Sequence, residues 1–137
     1  MLRSVDIRDY LIDNPVTIAP QASLIEAVQK ILAHKISGLC VVDDNKQLLG
    51  VLSELDCLQG VLGATYNQSS VGRVAEYMTT EVDVAVLSDD IINVANDMMS
   101  KNQRRRPVVD NGKLIGQITC RQLLGAVKEF SQAKNRA

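Results

Sequence analysis

The amino-acid sequence predicts a mixed α/β (α+β) fold in which two β-α-β-β-α repeats pack sheet to sheet with pseudo-two-fold symmetry. The first observation behind this prediction is a duplication: residues 7–61 match residues 74–127 when one residue is skipped in a hairpin turn. The second is that both halves show the same order of extended and helical patterns. One half alone would leave an apolar sheet face uncovered, whereas packing the two sheets together hides both faces.

The duplication rests on identical residues at matching positions of the two halves. The strongest block is Val41–Asp43, which matches Val108–Asp110. The other identities are Tyr10 with Tyr77, Leu48 with Leu114, Gly50 with Gly116, Leu58 with Leu124 and Val61 with Val127. A repeat of this length that occurs only twice indicates a symmetric pair, because solenoids stack shorter units many times.

Each half is expected to begin with a short helix, an extended stretch and an amphipathic helix. The short helices are predicted at Ile7–Ile12 and Val74–Met78, and the extended stretches at residues 16–18 and 82–86. Ser23, three residues before Glu26, is typical of a capping box at the start of the amphipathic helix. Apolar side chains three and four positions apart predict one buried face for each amphipathic helix: Leu24, Ala27, Val28, Ile31 and Leu32 in the first half, and Ile91, Val94, Ala95, Met98 and Met99 in the second.

A β-hairpin and a closing helix complete each half. The first hairpin is predicted to join Leu39–Val42 to Gln47–Leu52, and the second to join Pro107–Val109 to Lys113–Ile118 through Asn111-Gly112, the strongest short hairpin signal. The closing helices are predicted at Ser53–Leu62 and Thr119–Phe130. Residues 63–73 are polar and lack periodicity, so they are predicted to connect the halves.

Composition narrows the classes of protein. The chain has 137 residues, 15 basic and 16 acidic side chains, and no apolar run near the ~20 residues of a membrane span. No signal peptide is visible, so a cytoplasmic location is expected. Three widely separated cysteines argue against a zinc site or a disulfide framework and favour buried reduced thiols. A single histidine, His34, cannot build a multi-histidine metal site.

Two pairs of motifs carry a family resemblance. The first half contains Gly38–Asp43 and Gly50–Asp56, and the second half contains Arg105–Asp110 and Gly116–Gln122. In this order they resemble a tandem pair of CBS domains, the Bateman module, of the stand-alone bacterial type. The resemblance predicts repeats at residues 5–62 and 74–130, a linker at residues 63–73 and a polar tail at residues 131–137.

The resemblance implies a regulatory binding module rather than an enzyme. Such pairs hold adenosine-containing ligands (AMP, ADP, ATP, S-adenosylmethionine or NAD-like molecules) in clefts between the repeats, and they commonly dimerise into a disc. We therefore expect an adenine nucleotide as regulatory ligand, no obligatory cofactor, no catalytic residue and no metal. A homodimer and a separate target protein are the expected macromolecular partners, while nucleic acid and membranes are not expected to bind.

The family's ligand motif, Gly-h-h-Ser/Thr-x-x-Asp, implies that Ser53 and Asp56 meet the ribose of a bound nucleotide. A carboxylate that accepts from two vicinal hydroxyls suits ribose. The same pattern is typical of a helix N-cap with an acid in the first turn, and both roles can hold together. The second repeat carries Thr119 and Gln122 instead, so we expect one good site and one degraded or empty site.

The resemblance also implies contacts for the phosphates and the base. Arg104 and Arg105 would meet the phosphates, with a further contact from the Thr119 hydroxyl, so that Asp56 and the arginines would serve one cleft. A solvated loop is the alternative interpretation of the arginine run. Taken singly, Val16, Ile18 and Val51 are more typical of a hydrophobic core than of a ligand site. With that alternative open, the base would lie among six residues: Val16, Ile18, Ile36, Ser37, Gly38 and Val51.

Three other functions stay open. A ligand-free dimerisation scaffold with decayed nucleotide sites is favoured by Gln122 and opposed by Asp56. A nucleic-acid binder that uses the arginine run is disfavoured by the net charge of −1 and the scarcity of aromatic side chains. An enzyme built on Ser53, His34 and Asp56 is the least favoured of the three.

Overall fold

The computed structural model describes residues 4–135, with side chains through residue 128. It confirms the mixed α/β class and the predicted order of elements. Short 3₁₀ turns at Ile7–Asp9 and Val74–Glu76 precede the two sets of strands and helices. These are β1 (Ile12–Asp13), β2 (Thr17–Ile18), α1 (Leu24–His34), β3 (Gly38–Val42), β4 (Leu48–Ser53), α2 (Glu54–Tyr66), β5 (Ala85–Val86), α3 (Ile91–Ser100), β6 (Arg105–Asp110), β7 (Lys113–Thr119) and α4 (Cys120–Asn135).

The chain divides into two compact units. Pro15–Val82 form one, called the central unit below; residues up to Asn14 together with residues from Asp83 onward form the other, called the terminal unit. None of the helices in residues 4–135 combines the length and apolar character needed to cross a bilayer.

The central unit contains a three-stranded sheet in the order β2-β3-β4; in sequence, α1 lies between β2 and β3, and α2 follows β4. β2 runs parallel to β3, and β3 pairs antiparallel with β4 through the predicted hairpin. Its core combines one face of the sheet with the apolar face of α1; among its most buried members are Leu24, Val41 and Leu52. Leu32, predicted to belong to the buried face of α1, is instead exposed.

The terminal unit contains a four-stranded sheet in the order β1-β7-β6-β5, with helices α3 and α4. The Asn111-Gly112 turn is confirmed, since both residues have positive φ (51° and 81°), as a type I′ hairpin requires. Ile7, Met98 and Ile118 are fully buried in its core. Met99, predicted to lie on the buried face of α3, is exposed.

Each unit takes its leading segment from the sequence in front of the other repeat. Val74 belongs to the core of the central unit, and its N–H bonds to the Ala22 carbonyl (2.9 Å). Ile7 correspondingly belongs to the core of the terminal unit, where the N–H of Ile91 bonds to the Val5 carbonyl (3.0 Å). The compact units are therefore cut differently from the duplicated sequence, and the boundaries predicted at residues 5–62 and 74–130 remain a prediction about the duplication.

Both leading helices are shorter than predicted. The turn that begins at Ile7 ends at Asp9, and Ile12–Asp13 form β1, paired antiparallel with β7. The second turn ends at Glu76. Segments of five or six residues cannot offset the cost of nucleating an α-helix, so they close a single 3₁₀ turn before the chain becomes extended.

Two other boundaries differ from the prediction. The predicted connector at residues 63–73 begins as helix, because α2 continues to Tyr66 and buries Ala64. Ser23 caps α1 by accepting from the Glu26 N–H (3.2 Å), but within the described residues the Glu26 side chain makes no reciprocal bond, so the capping box is half formed. The predicted tail at residues 131–137 is helical through Asn135, and its last two residues lie outside the described part.

Candidate functional site

Ser53 and Asp56 form a complete capping box at the start of α2. The Asp56 N–H donates to the Ser53 hydroxyl (3.0 Å), and the Ser53 N–H donates to Asp56 Oδ2 (2.9 Å). Both side chains are half-buried. Among the described residues, no donor reaches the second carboxylate oxygen, Oδ1. The capping role is thus confirmed, and it leaves one anionic acceptor at this corner for a further hydrogen bond.

Ser37 and Gly38 meet the same corner through the backbone. Gly38 at the start of β3 pairs with Ser53 at the end of β4, and the Glu54 N–H donates to the Ser37 carbonyl (2.9 Å). A Cβ at Gly38 would lie 3.0 Å from the Leu52 carbonyl oxygen, so a larger residue would crowd the hairpin there. Four of the predicted ligand-binding residues therefore meet at one end of the β3–β4 hairpin.

The sheet of the central unit has one core face and one opposite face. Successive side chains of a strand point to opposite faces, and Ile18, Leu39 and Leu52 are buried in the core. Thr17, Cys40 and Val51 pair directly across the three strands and share the opposite face with Gly38 and Ser53. Val51 is half-buried and joined to Thr79 by two backbone hydrogen bonds (3.0 and 2.9 Å).

Three apolar residues predicted to surround the base differ in their burial. Ile18 is 3% exposed, so its side chain fills the core, as the alternative interpretation held. Val16 and Ile36 are half-buried and pack against the edge of that core. Ile18 can therefore reach a ligand only through its main chain.

Sequence reasoning missed Thr17. This residue is half-buried, lies on the same face as Val51, and its carbonyl accepts from Lys30 Nζ (2.8 Å). The signal that could have found it is alternation: with Ile18 in the core, the neighbouring residue of β2 must face the other way. Thr17 thus joins the candidate site as its only β2 side chain.

The terminal unit carries a matching corner with different chemistry. The Cys120 N–H donates to the Arg104 carbonyl (2.9 Å), and Arg105 pairs with Thr119, as Ser37 and Gly38 do with Glu54 and Ser53. The Thr119 hydroxyl donates to Gln122 Oε1, so the amide oxygen that replaces the Asp56 carboxylate is already engaged.

The arginine run is not the solvated loop of the alternative interpretation. Arg105 and Arg106 belong to β6; Arg104 is exposed, Arg105 is half-buried and Arg106 is buried. Because Arg104 precedes the strand and Arg106 is buried within it, the three side chains cannot act as one basic surface.

Comparison with known protein families assigns both repeats to one family. The CBS domain model matches residues 7–63 and again residues 74–129. The chain belongs to the CBS domain family. Both corners described above lie within the matched segments of these two CBS repeats.

Curated relatives match most of this chain but are longer proteins. The uncharacterised protein MJ1225 of Methanocaldococcus jannaschii is 30% identical over 113 residues, which cover 82% of this chain and 39% of the relative. The inosine-5′-monophosphate dehydrogenase of Aquifex aeolicus is 31% identical over 127 residues, covering 91% of this chain and 25% of the enzyme. The first three curated relatives are matched over 39%, 63% and 25% of their own lengths.

Two solved structures match most of this chain. CBSX2 of Arabidopsis thaliana, solved in complex with AMP, has a TM-score of 0.81 and 29% identity, with 92% of this chain and 98% of that chain covered. The CBS domain pair of protein MJ0100, solved with 5′-methylthioadenosine and S-adenosyl-L-methionine, has a TM-score of 0.73 and 26% identity, with 88% and 97% covered.

The second CBS repeat contains a charged network that the first lacks. Arg106 Nη2 lies 2.8 Å from Asp97 Oδ2, Lys101 Nζ bonds to both Asp97 and Asp83 (3.0 Å each), and Gln103 Nε2 donates to Asp83 Oδ2 (2.6 Å). The Gln103 and Lys101 hydrogen bonds hold the pKa of Asp83 below its ordinary value, and Lys101 and Arg106 do the same for the pKa of Asp97. In turn, Asp83 and Asp97 raise the pKa of Lys101.

This network occupies positions that correspond to part of the candidate site. In the alignment of the repeats, Asp83 matches Val16 and Gln103 matches Ile36. Two apolar residues predicted to contact the base are therefore replaced in the second CBS repeat by a hydrogen-bonded acid and amide.

The cysteines and the histidine separate into buried and exposed groups. Cys40 and Cys57 are buried free thiols as predicted, and burial, with Asp56 and Glu54 nearby, raises the pKa of Cys57. Cys120 is exposed, so the prediction of burial is wrong there, because the first residue of α4 faces away from the core. His34 is exposed at the end of α1 and, in the part of the chain described, bonds to neither Ser53 nor Asp56. In that part no three metal-binding side chains cluster.

Proposed function

We propose that this chain is a non-catalytic regulatory module whose first CBS repeat binds an adenosine-containing ligand of the AMP class. Binding would change the population of one arrangement of the module and thereby signal to a separate protein. The observation that carries the proposal is the capping box of Ser53 and Asp56, because it orients the carboxylate while leaving Oδ1 available.

The chemistry of this corner suits a ribose. Two vicinal hydroxyls are donors, and an ionised carboxylate oxygen is the strongest acceptor that a side chain offers them. Since the cap uses Oδ2, a ribose bond to Oδ1 would not uncap α2. The half-buried side chains of Val16, Thr17, Ile36 and Val51 supply the apolar surroundings that a purine requires.

The second CBS repeat is proposed to bind adenosine weakly or not at all. Gln122 offers no anionic acceptor, and its oxygen already accepts from Thr119. Asp83 and Gln103 place a charged hydrogen-bonded pair where the first repeat has Val16 and Ile36. Relatives of the same fold support the ligand class, since CBSX2 was solved with AMP and the MJ0100 pair with two adenosine derivatives.

The phosphate end of the ligand remains part of the proposal. Arg104 and Arg105 carry guanidinium groups suited to phosphate oxygens, and Thr119 carries a hydroxyl. Reversing the charge of Arg104 and Arg105 should weaken the binding of ATP more than the binding of adenosine, because adenosine has no phosphate.

A dimerisation scaffold is the second candidate function. Large apolar side chains on α2 and α4 are more than half exposed, which favours association through these helices; they are Leu55, Leu58, Leu62, Leu124 and Val127. Homodimerisation is compatible with ligand binding. The scaffold becomes the whole function only if no adenosine derivative binds.

The decisive experiment is calorimetric titration of AMP into the wild type and two matched variants. Asp56→Asn removes the charge but keeps an oxygen that can accept from the Ser53 N–H, so the helix cap survives. Because a hydrogen bond to a charged group contributes about 1.5–3 kcal/mol, affinity should fall roughly ten- to hundred-fold. Gln122→Ala, the matched control, should leave affinity unchanged.

The ribose role has its own measurement. Wild type should prefer AMP to 2′-deoxy-AMP, and Asp56→Asn should lose that preference while retaining the far-ultraviolet circular dichroism of the wild type. If AMP, ADP, ATP, NAD and S-adenosylmethionine all leave the melting temperature of ligand-stripped protein unchanged, the nucleotide proposal is wrong and the scaffold remains.

A further inference from the structure

A hollow of ≈ 260 Å³ opens beside the start of α3, wholly within the terminal unit. Ser88, Asp89, Asp90, Asn93, Val94 and Arg106 line it. None of these residues belongs to the candidate nucleotide site. The volume lies just below the roughly 300–1,000 Å³ of pockets for drug-sized ligands, so it suits a molecule smaller than a nucleotide.

Arg106 contributes a buried donor without a partner. Its side chain is 5% exposed. Nη2 is engaged by Asp97 and by Gln103 Oε1 (2.5 Å), but Nε is buried and meets no acceptor among the described residues. Buried donors in native proteins are nearly always satisfied, so the hydrogen bonds of this guanidinium, whose residue is part of the lining of the hollow, are incomplete.

Asp89 and Asp90 contribute negative charge that no cation among the described side chains balances. Asp89 Oδ2 accepts from the Val86 N–H (2.8 Å), and Asp90 Oδ1 accepts from the N–H groups of Ile92 and Asn93 (2.7 and 3.3 Å). Each carboxylate keeps a second oxygen, and within the described residues neither is part of a salt bridge. Arg106 and Lys101 do not neutralise Asp89 and Asp90, because Arg106 is already paired with Asp97, and Lys101 with Asp97 and Asp83.

These charges select among ligand classes. A phosphate or another simple anion is disfavoured, because Asp90 already caps α3 and both carboxylates would repel it. A divalent metal is disfavoured as well, since only two carboxylates line the hollow and a guanidinium faces it. A ligand that places a cationic group beside Asp89 and Asp90 and also offers a hydrogen-bond acceptor to Arg106 satisfies all three side chains.

The matching positions of the first CBS repeat lack this chemistry. Ala22 stands in place of Asp89, Ser23 in place of Asp90, and Leu39 in place of Arg106. Two of the three charges are thus replaced by apolar side chains and the third by a neutral cap. The charged lining is therefore not a requirement of the fold.

We propose that this hollow binds a small free α-amino acid. Its ammonium group bonds to the second oxygens of Asp89 and Asp90, and its carboxylate accepts from the Arg106 guanidinium. The Ser88 hydroxyl and the Asn93 amide add polar contacts that help select the side chain. The site acts independently of the nucleotide site, because the two have no residue in common.

The test is a two-dimensional amide NMR titration of the full chain with each common L-amino acid at millimolar concentration. We expect at least one to produce saturable shifts of the Ser88, Asp90 and Asn93 signals. Its N-acetyl derivative lacks the ammonium and the matching amine lacks the carboxylate, so each should bind at least about tenfold more weakly. AMP should shift the signals of Ser53 and Asp56, which the amino acid should leave unchanged, so failure of either proposal is separable from failure of the other.

Two variants and a control complete the test. Asp89→Asn keeps an acceptor for the Val86 N–H but removes a charge, and it should weaken amino-acid binding about tenfold. Arg106→Leu, which installs the residue of the first repeat, should do the same. Asp44→Asn, in the exposed β3–β4 turn, should change nothing. Absence of saturable shifts in the wild type overturns the proposal, as does unchanged affinity in either folded variant.

Discussion

The two units differ most at one strand position. Leu39 in β3 and Arg106 in β6 match in the alignment of the repeats, and both side chains are almost fully buried. The residue on the facing helix differs as well. Asp97 of α3 pairs with Arg106, whereas the matching Lys30 of α1 donates to the Thr17 carbonyl. A buried charge was therefore accommodated only together with an acid on the neighbouring helix, since an uncompensated buried charge is costly.

The corners at the starts of α2 and α4 differ in a second way. Ser53 and Asp56 complete a reciprocal capping box, whereas Thr119 donates to the Gln122 side chain and no acid lies in the first turn of α4. The first corner combines helix capping with a spare anionic acceptor. At the second corner the Thr119 and Gln122 side chains bond to each other. The two repeats therefore share the backbone arrangement of the corner but not its chemistry.

The largest expected effect comes from moving the charge into the wrong unit. Leu39→Arg buries a guanidinium in a core whose facing helix position carries Lys30, a like charge. Because the charge is unpaired, the free energy of unfolding should fall by more than about 4 kcal/mol, enough to unfold much of the population. Urea denaturation followed by circular dichroism measures the loss.

The reciprocal changes sharpen the comparison. Adding Lys30→Asp to Leu39→Arg supplies the acid and should recover part of the lost stability. Arg106→Leu should cost only about 1 kcal/mol or less, because an apolar side chain replaces a buried charge whose partner Asp97 keeps Lys101. Equal destabilisation by Leu39→Arg and Arg106→Leu would contradict the idea that the pair was acquired together.

The fold could largely be predicted from the sequence, because duplication and periodicity report on local order. Val41–Asp43 and Val108–Asp110 marked the paired hairpins, and Asn111-Gly112 marked a turn that depends on two residues only. The exchange of leading segments escaped prediction, since no local pattern tells whether Ile7 or Val74 packs against the repeat that follows it or against the other one.

The candidate site could be predicted where a motif carries it and not where tertiary packing decides. The Ser53–Asp56 spacing is itself a capping geometry, so its hydrogen bonds followed from the sequence. Burial of Arg106 depends on Asp97, nine residues away on another element, and Arg104–Arg106 therefore looked like a uniform run. Thr17 was missed because a two-residue strand is too short for its alternation to stand out.

An intermediate effect is expected from restoring the first repeat's acid in the second. Gln122→Asp should form the reciprocal capping box with Thr119 and place a negative charge in the first turn of α4. Helix capping and the helix dipole together predict a gain of about 0.5–1 kcal/mol in the free energy of unfolding at neutral pH. Thermal and urea denaturation measure it.

The control for Gln122→Asp is to measure the same gain in stability at low pH. The gain from Gln122→Asp should disappear below about pH 3, where the new carboxyl is protonated. Gln122→Glu, with a longer side chain at the same position, should give a smaller gain. A gain that persists in acid would contradict the electrostatic explanation.

The smallest expected effect concerns the exposed network around Asp83, which the central unit lacks. Gln103 and Lys101 lower the pKa of Asp83, so its ionised form stabilises the folded state above the ordinary carboxyl pKa of about 4, and this stabilisation is lost as the pH falls through the lowered value. Asp83→Asn should therefore melt slightly below the wild type at pH 7, and the two melting curves should converge near pH 2–3. Asp44→Asn, an exposed acid of the central unit without a cationic partner among the described residues, should match the wild type at every pH. If the melting temperatures of Asp83→Asn and the wild type differed by the same amount from pH 7 down to pH 2, the charge of Asp83 would not explain the difference. The network would then stabilise the fold through hydrogen bonds at this position rather than through charge.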